Sequence, residues 1–479
     1  MKKRKIKKSL ILFSVINLIF TILLLTFIIK LKVLPFKYLI LLIILLLGIN
    51  IMCFFFIKSK KKPLRIIGYI ISVVLMIVSC VGSYYLSKTN KFLDEAFNNS
   101  SNKYTSKYYV LVPKKSDYED INDIKDEIIG YYEVMPNISI ALDKLEEEIS
   151  FEKEKYDEMP KLLNDLEKEK IAATVMEESI YEVLTDKETN VMSKDDYKII
   201  YEFDIEVEEE KEEIIDDGNN FSIYIGGTDF TEKNNDFNMV MTINKKTHKI
   251  LLTSIPRDYY LKASGTGMSE LLGYIGYYGI NTSRKTMEDL FGINIDYYVK
   301  INTESIVGLV DTLGGVEFCS DISFKTTHAL IMGSYDDTKG EKLYVEKGCK
   351  KYNGIEILTI LRERKAYKDG DRQRQKNCQD VMITIMKSML STDGLANYSN
   401  ILTAVSNLYT TNLSRDLITE VVNETISSGK GWNFEQQSVT GRDSSAYVHM
   451  GTVKDYVMIP DENSINEATS KMKKIISGK

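Results

Sequence analysis

Histidine and tryptophan are almost absent, with three His and one Trp in 479 residues. A Ser/His/Asp triad or a histidine-based metal centre has little to be built from, so polar chemistry falls to carboxylates and arginines. The five cysteines show neither a CxxC pair nor a Cys/His spacing, which argues against a zinc site. Cys53 and Cys80 lie inside apolar runs, where a small apolar role is the ordinary reading. An excess of one charge is lacking as well: the formal net charge is -6. Lys and Arg gather in the first hundred residues and around residues 339–376 instead of spreading over a basic face, so nucleic acid is a poor partner. Single cores rarely grow past ~250–300 residues, which leaves room for two folded domains besides a membrane part.

Long apolar runs are present. Leu10–Ile29, Tyr38–Ile57 and Ile66–Leu86 each approach the ~20 residues that cross a bilayer as helix. They predict three transmembrane helices within residues 1–87, and no small-residue cleavage site marks the first as a signal peptide. Lys2, Lys3, Arg4, Lys5, Lys7 and Lys8 precede the first run, and Lys58, Lys60, Lys61, Lys62 and Arg65 separate the second from the third. By the positive-inside rule both segments are cytoplasmic. Three crossings then put everything after Leu86 outside the cell.

Residues 88–217 read as a small α/β module with an acidic linker. Polar Ser87–Lys107 predicts a tether, Tyr108–Val112 and Lys198–Ile205 strands, and Asp117–Ile129, Ile138–Glu148 and Tyr156–Lys170 helices. The acidic run Glu206–Asp217 reads as a solvated linker. From Phe221 the strands come close together. Phe221–Ile225, Met239–Ile243 and Ile250–Ile255 predict a β-meander, with a hairpin turn at Asn244-Lys245-Lys246-Thr247. Helices then alternate with strands: Arg284–Phe291, the strand Tyr297–Ile301, Ser305–Leu313, a helix capped by Asn353 and Glu356, and a longer one with Val381, Ile385 and Met389 as its stripe. Residues 218–479 thus predict an α/β domain with a mixed central sheet and helices on both faces.

Asp229 follows a strand and a glycine pair, and Asp236 precedes the next strand, so one hairpin brings both carboxylates to one rim. Such hard oxygens suit Mg²⁺, although two aspartates in a turn are ordinarily turn formers. Strand Ile250–Ile255 ends in Pro256-Arg257-Asp258. Arg362 and Arg364 straddle Glu363, and Asp371, Arg372 and Arg374 follow; guanidinium forks match phosphate oxygens, while a basic run is ordinarily a solvated face.

Taken in order, these residues, together with Asp296-Tyr297-Tyr298-Val299-Lys300-Ile301-Asn302 and Leu309-Val310-Asp311-Thr312-Leu313-Gly314-Gly315-Val316, resemble the LytR-CpsA-Psr family over about Phe221 to Leu390. The resemblance implies an α/β fold with a pocket for a polyprenyl chain. It implies transfer of a glycopolymer such as wall teichoic acid or capsule from a polyprenyl-pyrophosphate carrier to peptidoglycan, with Mg²⁺ at the pyrophosphate. By position, Asp229 and Asp236 would hold the metal, Arg257, Arg362, Arg364 and Arg374 would bind the pyrophosphate, and Asp258 would orient arginine. Val381, Ile385 and Met389 would wall the lipid pocket or belong to plain core. Three departures stand out: Asn234-Asn235 where the family has Arg before the second Asp, Glu270-Leu271-Leu272 where it often has Lys-Leu, and Cys378 where Gln is expected. A membrane sensor or scaffold that only binds polyprenyl phosphate, or a pyrophosphatase using water as acceptor, would use the same residues. The module at 108–205 faintly resembles part of a type 2 periplasmic binding-protein lobe; a spacer or regulatory domain is the alternative.

Cys319, Cys349 and Cys378 fall outside the membrane, where disulfides persist. Cys319 follows a strand and Cys349 precedes the arginine helix, so a Cys319–Cys349 bridge would tether that helix to the sheet. Pairing through Cys378, or three free thiols, remains open at this level.

Overall fold

The computed structural model describes residues 2–32, 34–98, 103–185, 191–208, 220–228, 234–331, 340–391, 394, 401 and 409–478. The chain forms two compact units: Met1–Asn99, Met389–Asn407 and Leu413–Trp432 make one, and Ser100–Ser388, Leu408–Asn412 and Asn433–Lys479 the other.

The first unit holds helices α1 (Lys2–Leu31), α2 (Phe36–Lys58) and α3 (Lys62–Asn98). Leu12–Leu31, Phe36–Lys58 and Lys62–Lys91 are long and apolar enough to cross a membrane. Between them polar side chains find partners, as apolar surroundings demand: Asn50 Nδ2 donates to Thr21 Oγ1 at 3.0 Å and Asn90 Nδ2 to the backbone oxygen of Phe27 at 3.2 Å. The expected tether from Ser87 is helical through Asn98 instead. Ion pairs hold that extension, with Asp94 meeting Lys30 at 3.0 Å and Arg415 at 2.6 Å.

The second unit opens with the accessory module. Its sheet has the order β3-β2-β4-β1-β5, made of β1 (Lys103–Pro113), β2 (Ile128–Tyr132), β3 (Glu152–Tyr156), β4 (Ala173–Glu177) and β5 (Tyr197–Glu208). Helices α4 (Ile138–Glu146), α5 (Met159–Glu167) and α6 (Glu178–Thr185) accompany it. The helix expected over Asp117–Ile129 is only a 3₁₀ turn, Ile121–Ile124, capped by Asp120, and the chain enters β2 through Asp126 at φ 63°. Tyr156 ends a strand rather than starting a helix, because Pro160 sits in the first turn of α5. The buried core of the module also takes in Met268 and Met450.

The second sheet carries the motifs. Its order is β16-β11-β6-β7-β8-β17, from β6 (Asn220–Thr228), β7 (Asn235–Asn244), β8 (Lys249–Ile255), β11 (Tyr297–Ile301), β16 (Tyr409–Thr411) and β17 (Asn433–Ser438). β6, β7 and β8 form the antiparallel meander, while β11 joins β6 and β17 joins β8 in parallel, so the sheet is mixed. Burial along β6 to β8 is nearly unbroken, the pattern of strands covered on both faces. Short β9 (Tyr260–Lys262) and β10 (Ser269–Leu271) lead into α7 (Leu272–Ile275) and α8 (Ile280–Phe291). Met287 and Phe291 of α8 pack with Tyr224, Val240 and Leu251 of the sheet. After α9 (Thr303–Thr312) come β12 (Val316–Ser320), β13 (Phe324–Ala329), β14 (Lys342–Val345), β15 (Gly348–Tyr352), α10 (Gly354–Arg362) and α11 (Asp371–Met389). Helix α12 (Arg415–Ser428) belongs to the first unit; the second unit closes with hairpin β18 (Gly441–Val448) and β19 (Val453–Pro460), and α13 (Glu462–Ser477), whose Met472 and Ile475 join the same core.

Cys319 and Cys349 face each other in the β12–β15 ladder and are disulfide-bonded. Cys378 is buried in α11 and takes no part in the bridge. The bridge spans 30 residues, so replacing both cysteines by alanine is expected to cost about 3–4 kcal/mol through the freer unfolded chain. Thermal melting of the wild-type and doubly substituted chains checks it; equal midpoints would show that the bridge adds nothing.

Candidate active site

The rim at the end of the meander is built by a bulge. Gly227 pairs with Phe237 but Thr228 pairs with Asn235, so Asp236 is the extra residue on β7. A bulge turns a side chain out of the sheet's alternation, and here it sends the carboxylate to Arg257, which β8 delivers just past its end. Arg257 Nη1 donates to Asp236 Oδ1 at 2.6 Å, and its Nε stands 3.5 Å from Asp258 Oδ1. Arg374, buried in α11, donates through Nη2 to the backbone oxygen of Asp236 at 3.0 Å. One guanidinium is thus held between two carboxylates while another fixes the bulge from beneath. The side chains of Arg257, Asp236 and Asp258 keep 26 %, 34 % and 28 % of their surface in solvent, so the cluster is anchored yet open to a ligand.

Arg362 and Arg364 flank Glu363 at the end of α10. Glu363 is fully buried and accepts from Thr327 N, Thr327 Oγ1 and Ala366 N at 2.5, 3.0 and 2.9 Å. Burial opposes its charge, but these hydrogen bonds outweigh burial and hold the carboxyl below the ordinary glutamate value. Arg362 Nη1 donates to Ile331 O at 3.4 Å. Of the four candidate arginines, the described contacts bring Arg257 and Arg374 to Asp236, whereas Arg362 and Arg364 flank Glu363 in the chain at the end of α10. Asp229 lies outside the described residues.

A carboxylate depressed in the fold contributes stability above its unfolded pKa and loses it as pH falls through the folded value. Glu363→Gln cannot accept from three donors, so it is expected to cost ~1–3 kcal/mol at neutral pH. The gap to wild type should close below the ordinary glutamate range, ~4.3. Melting curves across pH test it, and a gap that persists in acid would refute the role of charge.

A model of the LytR_cpsA_psr family matches residues 176–474. The chain belongs to the LytR-CpsA-Psr family. It is 33% identical over 217 residues to Biofilm regulatory protein A of Streptococcus mutans, covering 42% of this chain and 52% of that protein. It is 30% identical over 179 residues to polyisoprenyl-teichoic acid--peptidoglycan teichoic acid transferase TagU of Bacillus mycoides, covering 37% of this chain and 54% of that one. The chain spans about half the length of these curated relatives. Among solved structures, protein gbs0355 of Streptococcus agalactiae is 26% identical with a TM-score of 0.47, over 56% of this chain and 91% of that one.

Several motif residues of this LytR-CpsA-Psr chain have structural work. Asp296 Oδ2 accepts from Ser222 N at 2.8 Å, tying β11 to β6. Asn302 caps α9 through Ser305 N at 2.8 Å. Asp311 accepts from Gly354 N at 2.7 Å, and so α9 fixes the start of the helix that carries Arg362. A side chain at Gly354 would strike the backbone of Val307, which is why that approach needs glycine.

The departures from the family pattern fill buried places. Asn235 donates to the Tyr224 hydroxyl at 3.2 Å and to Ser283 Oγ at 3.3 Å under the rim. Glu270, fully buried, accepts from Leu271 N and His449 N at 2.9 and 2.7 Å. Val381 and Ile385 are buried on α11. The segment after Leu390 reads in the sequence only as a less patterned tail of the same domain. It supplies β17 and the β18–β19 hairpin, which border the rim: Met458 N donates to Asp258 O at 2.7 Å. The signal available was the β-branched and aromatic content of Tyr447 to Met458 around Gly451-Thr452, while β18 itself is largely polar and exposed.

Proposed function

We propose that this protein transfers a glycopolymer from a polyprenyl-pyrophosphate carrier to peptidoglycan by phosphoryl transfer. The observation that carries the reading is Arg257 fixed between Asp236 and Asp258, with Arg374 holding the same bulge. The name of the Bacillus mycoides relative describes transfer of teichoic acid to peptidoglycan, and membership of one family makes a teichoic acid or capsular polymer the first candidate cargo.

An acceptor hydroxyl oxygen attacks the phosphorus that bears the glycopolymer and forms the new phosphoester. The bond from that phosphorus to the bridging oxygen breaks, polyprenyl phosphate leaves with the electron pair, and the hydroxyl proton is released to water. Charge accumulates on the leaving phosphate. A fixed guanidinium aimed at those oxygens stabilises it without having to reorganise, the main lever in this chemistry. Arg362 and Arg364, on either side of the anchored Glu363, bind the pyrophosphate with Arg257 and Arg374.

Mg²⁺ fits as cofactor to the extent that Asp236 presents a partly exposed hard oxygen beside its Arg257 bond, since Mg²⁺ takes one or two carboxylates with phosphate oxygens and waters. Asp236, with Asp229, would hold it, and when bound it would neutralise charge on the pyrophosphate. The test incubates the full chain with a short polyprenyl-pyrophosphoryl saccharide, Mg²⁺ and a peptidoglycan oligomer, and follows products by mass. Joined saccharide and glycan support transfer; free saccharide phosphate alone would mean that water is the acceptor.

The same reading places residues 88–479 outside the cell, from the lysines and arginines at the other ends of the apolar spans. Protease added to intact protoplasts is expected to remove that region. Survival there, with digestion once the membrane is opened, would reverse the orientation.

A further inference from the structure

A cleft of about 610 Å³ opens beside the rim, between the start of α11 and the strands β17, β18 and β19. Its size falls within the ~300–1,000 Å³ of small-ligand sites. Asp258, Gln375, Gln379, Gln436, Asp443 and Tyr456 line it, so the cleft shares Asp258 with the arginine cluster. Its walls are set in advance. Gln379 is buried and donates through Nε2 to Gln437 O at 2.7 Å, locking α11 to β17. Tyr456 donates to Asp443 Oδ1 at 2.8 Å, which steadies the ring while 45% of the residue stays exposed. Burial, the bond to Asp443 and the charges of Asp443 and Asp258 push the Tyr456 hydroxyl up to about 12, so it is a donor at any physiological pH.

The lining selects among ligand chemistries. A polyprenyl chain needs a continuous apolar wall, and amides and carboxylates interrupt this one. A polyanion would face three carboxylates, Asp258, Asp369 and Asp443, against Arg372 and a Lys376 that is already paired with Asp380 at 3.1 Å. Glutamine amides offer a donor and an acceptor together, which matches neighbouring hydroxyl and acetamido groups. A held tyrosine supplies a flat apolar face with a polar tip. We infer that this cleft seats the acceptor, an uncharged N-acetylated glycan segment, and presents its hydroxyl to the Asp236–Arg257 rim. The inference rests on the transferase reading for the word acceptor, but glycan binding can be measured without turnover.

The test titrates a tetrasaccharide of β-1,4-linked N-acetylglucosamine into the full chain in detergent micelles, read by ligand-detected NMR. Tyr456→Ala and Gln436→Ala are each expected to weaken binding by about tenfold, and Tyr456→Phe, which keeps the ring, by no more than about threefold. Tyr344→Ala, at an exposed residue of β14 outside the cleft, should bind as wild type does. No binding by wild type, or undiminished binding by Tyr456→Ala and Gln436→Ala, overturns the assignment. If wild type binds, the two variants lose binding, and the mass assay finds no joined product, the cleft stands and the transferase reading falls. If joined product forms and Tyr456→Ala leaves the acceptor KM unchanged, the reverse holds.

Discussion

Lysine in place of Arg257 is expected to lower kcat/KM for transfer by roughly 10²–10³-fold, the cost of losing one preorganised donor at a site of developing charge. Charge alone does not explain the arrangement. The guanidinium meets Asp236 through Nη1 and Asp258 through Nε, and a lysine ammonium, a single point on a flexible stem, cannot hold that plane toward a phosphate. Stability should scarcely change, because all three side chains keep a quarter to a third of their surface in water and such pairs add little. Asp236→Ala is expected to be as damaging, since it frees the same guanidinium. The double variant should be no worse than the poorer single one, because the two act as a unit. Kinetics from product mass, with a melting curve for each variant, separate these outcomes. Full activity in Arg257→Lys would reduce Arg257 to a point charge.

The elements that resisted reading were those whose partners lie far away in the chain. The meander Phe221–Ile255 was legible because its contacts are local: apolar strands, a polar turn at Asn244, and antiparallel pairing between neighbours. The capped start of α10 was legible for the same reason, since Asn353 and Glu356 satisfy each other three residues apart. By contrast, Glu152–Tyr156 reads Glu-Lys-Glu-Lys-Tyr, with no apolar alternation, and is a strand only because β2 offers it a parallel edge. β17 is likewise defined by β8, some 180 residues earlier. The site follows this division. Arg257 beside Asp258 could be picked out from the end of a strand, but the bond from Arg374 to the backbone of Asp236 crosses 138 residues, and no local pattern announces it. Asp117–Ile129 failed for a further reason: Asp120 does cap a turn and Ile121, Ile124 and Ile128 have helical spacing, but Ile128 and Ile129 are taken into β2, between β3 and β4.

Gly227→Ala is expected to disable transfer to the same degree although it removes no polar group. A Cβ at Gly227 would lie 1.7 Å from the ring of Phe237, a distance no relaxation of the methyl alone can relieve. Phe237 is buried and directly follows Asp236, so the ring cannot swing away without carrying the bulge with it. Overpacking of this kind costs ~1–3 kcal/mol, and the melting midpoint should fall accordingly. The larger effect is on geometry. If the register between Gly227 and Thr228 is drawn straight, Asp236 rejoins the sheet's alternation and its carboxylate leaves Arg257. Phe237→Leu alone should be mild, and combined with Gly227→Ala it gives the methyl room and should recover much of the lost activity. Recovery of stability without recovery of activity would mean that the glycine serves the bulge in some way other than by admitting the Phe237 ring. Full activity in Gly227→Ala alone would show that the bulge does not aim Asp236 at all.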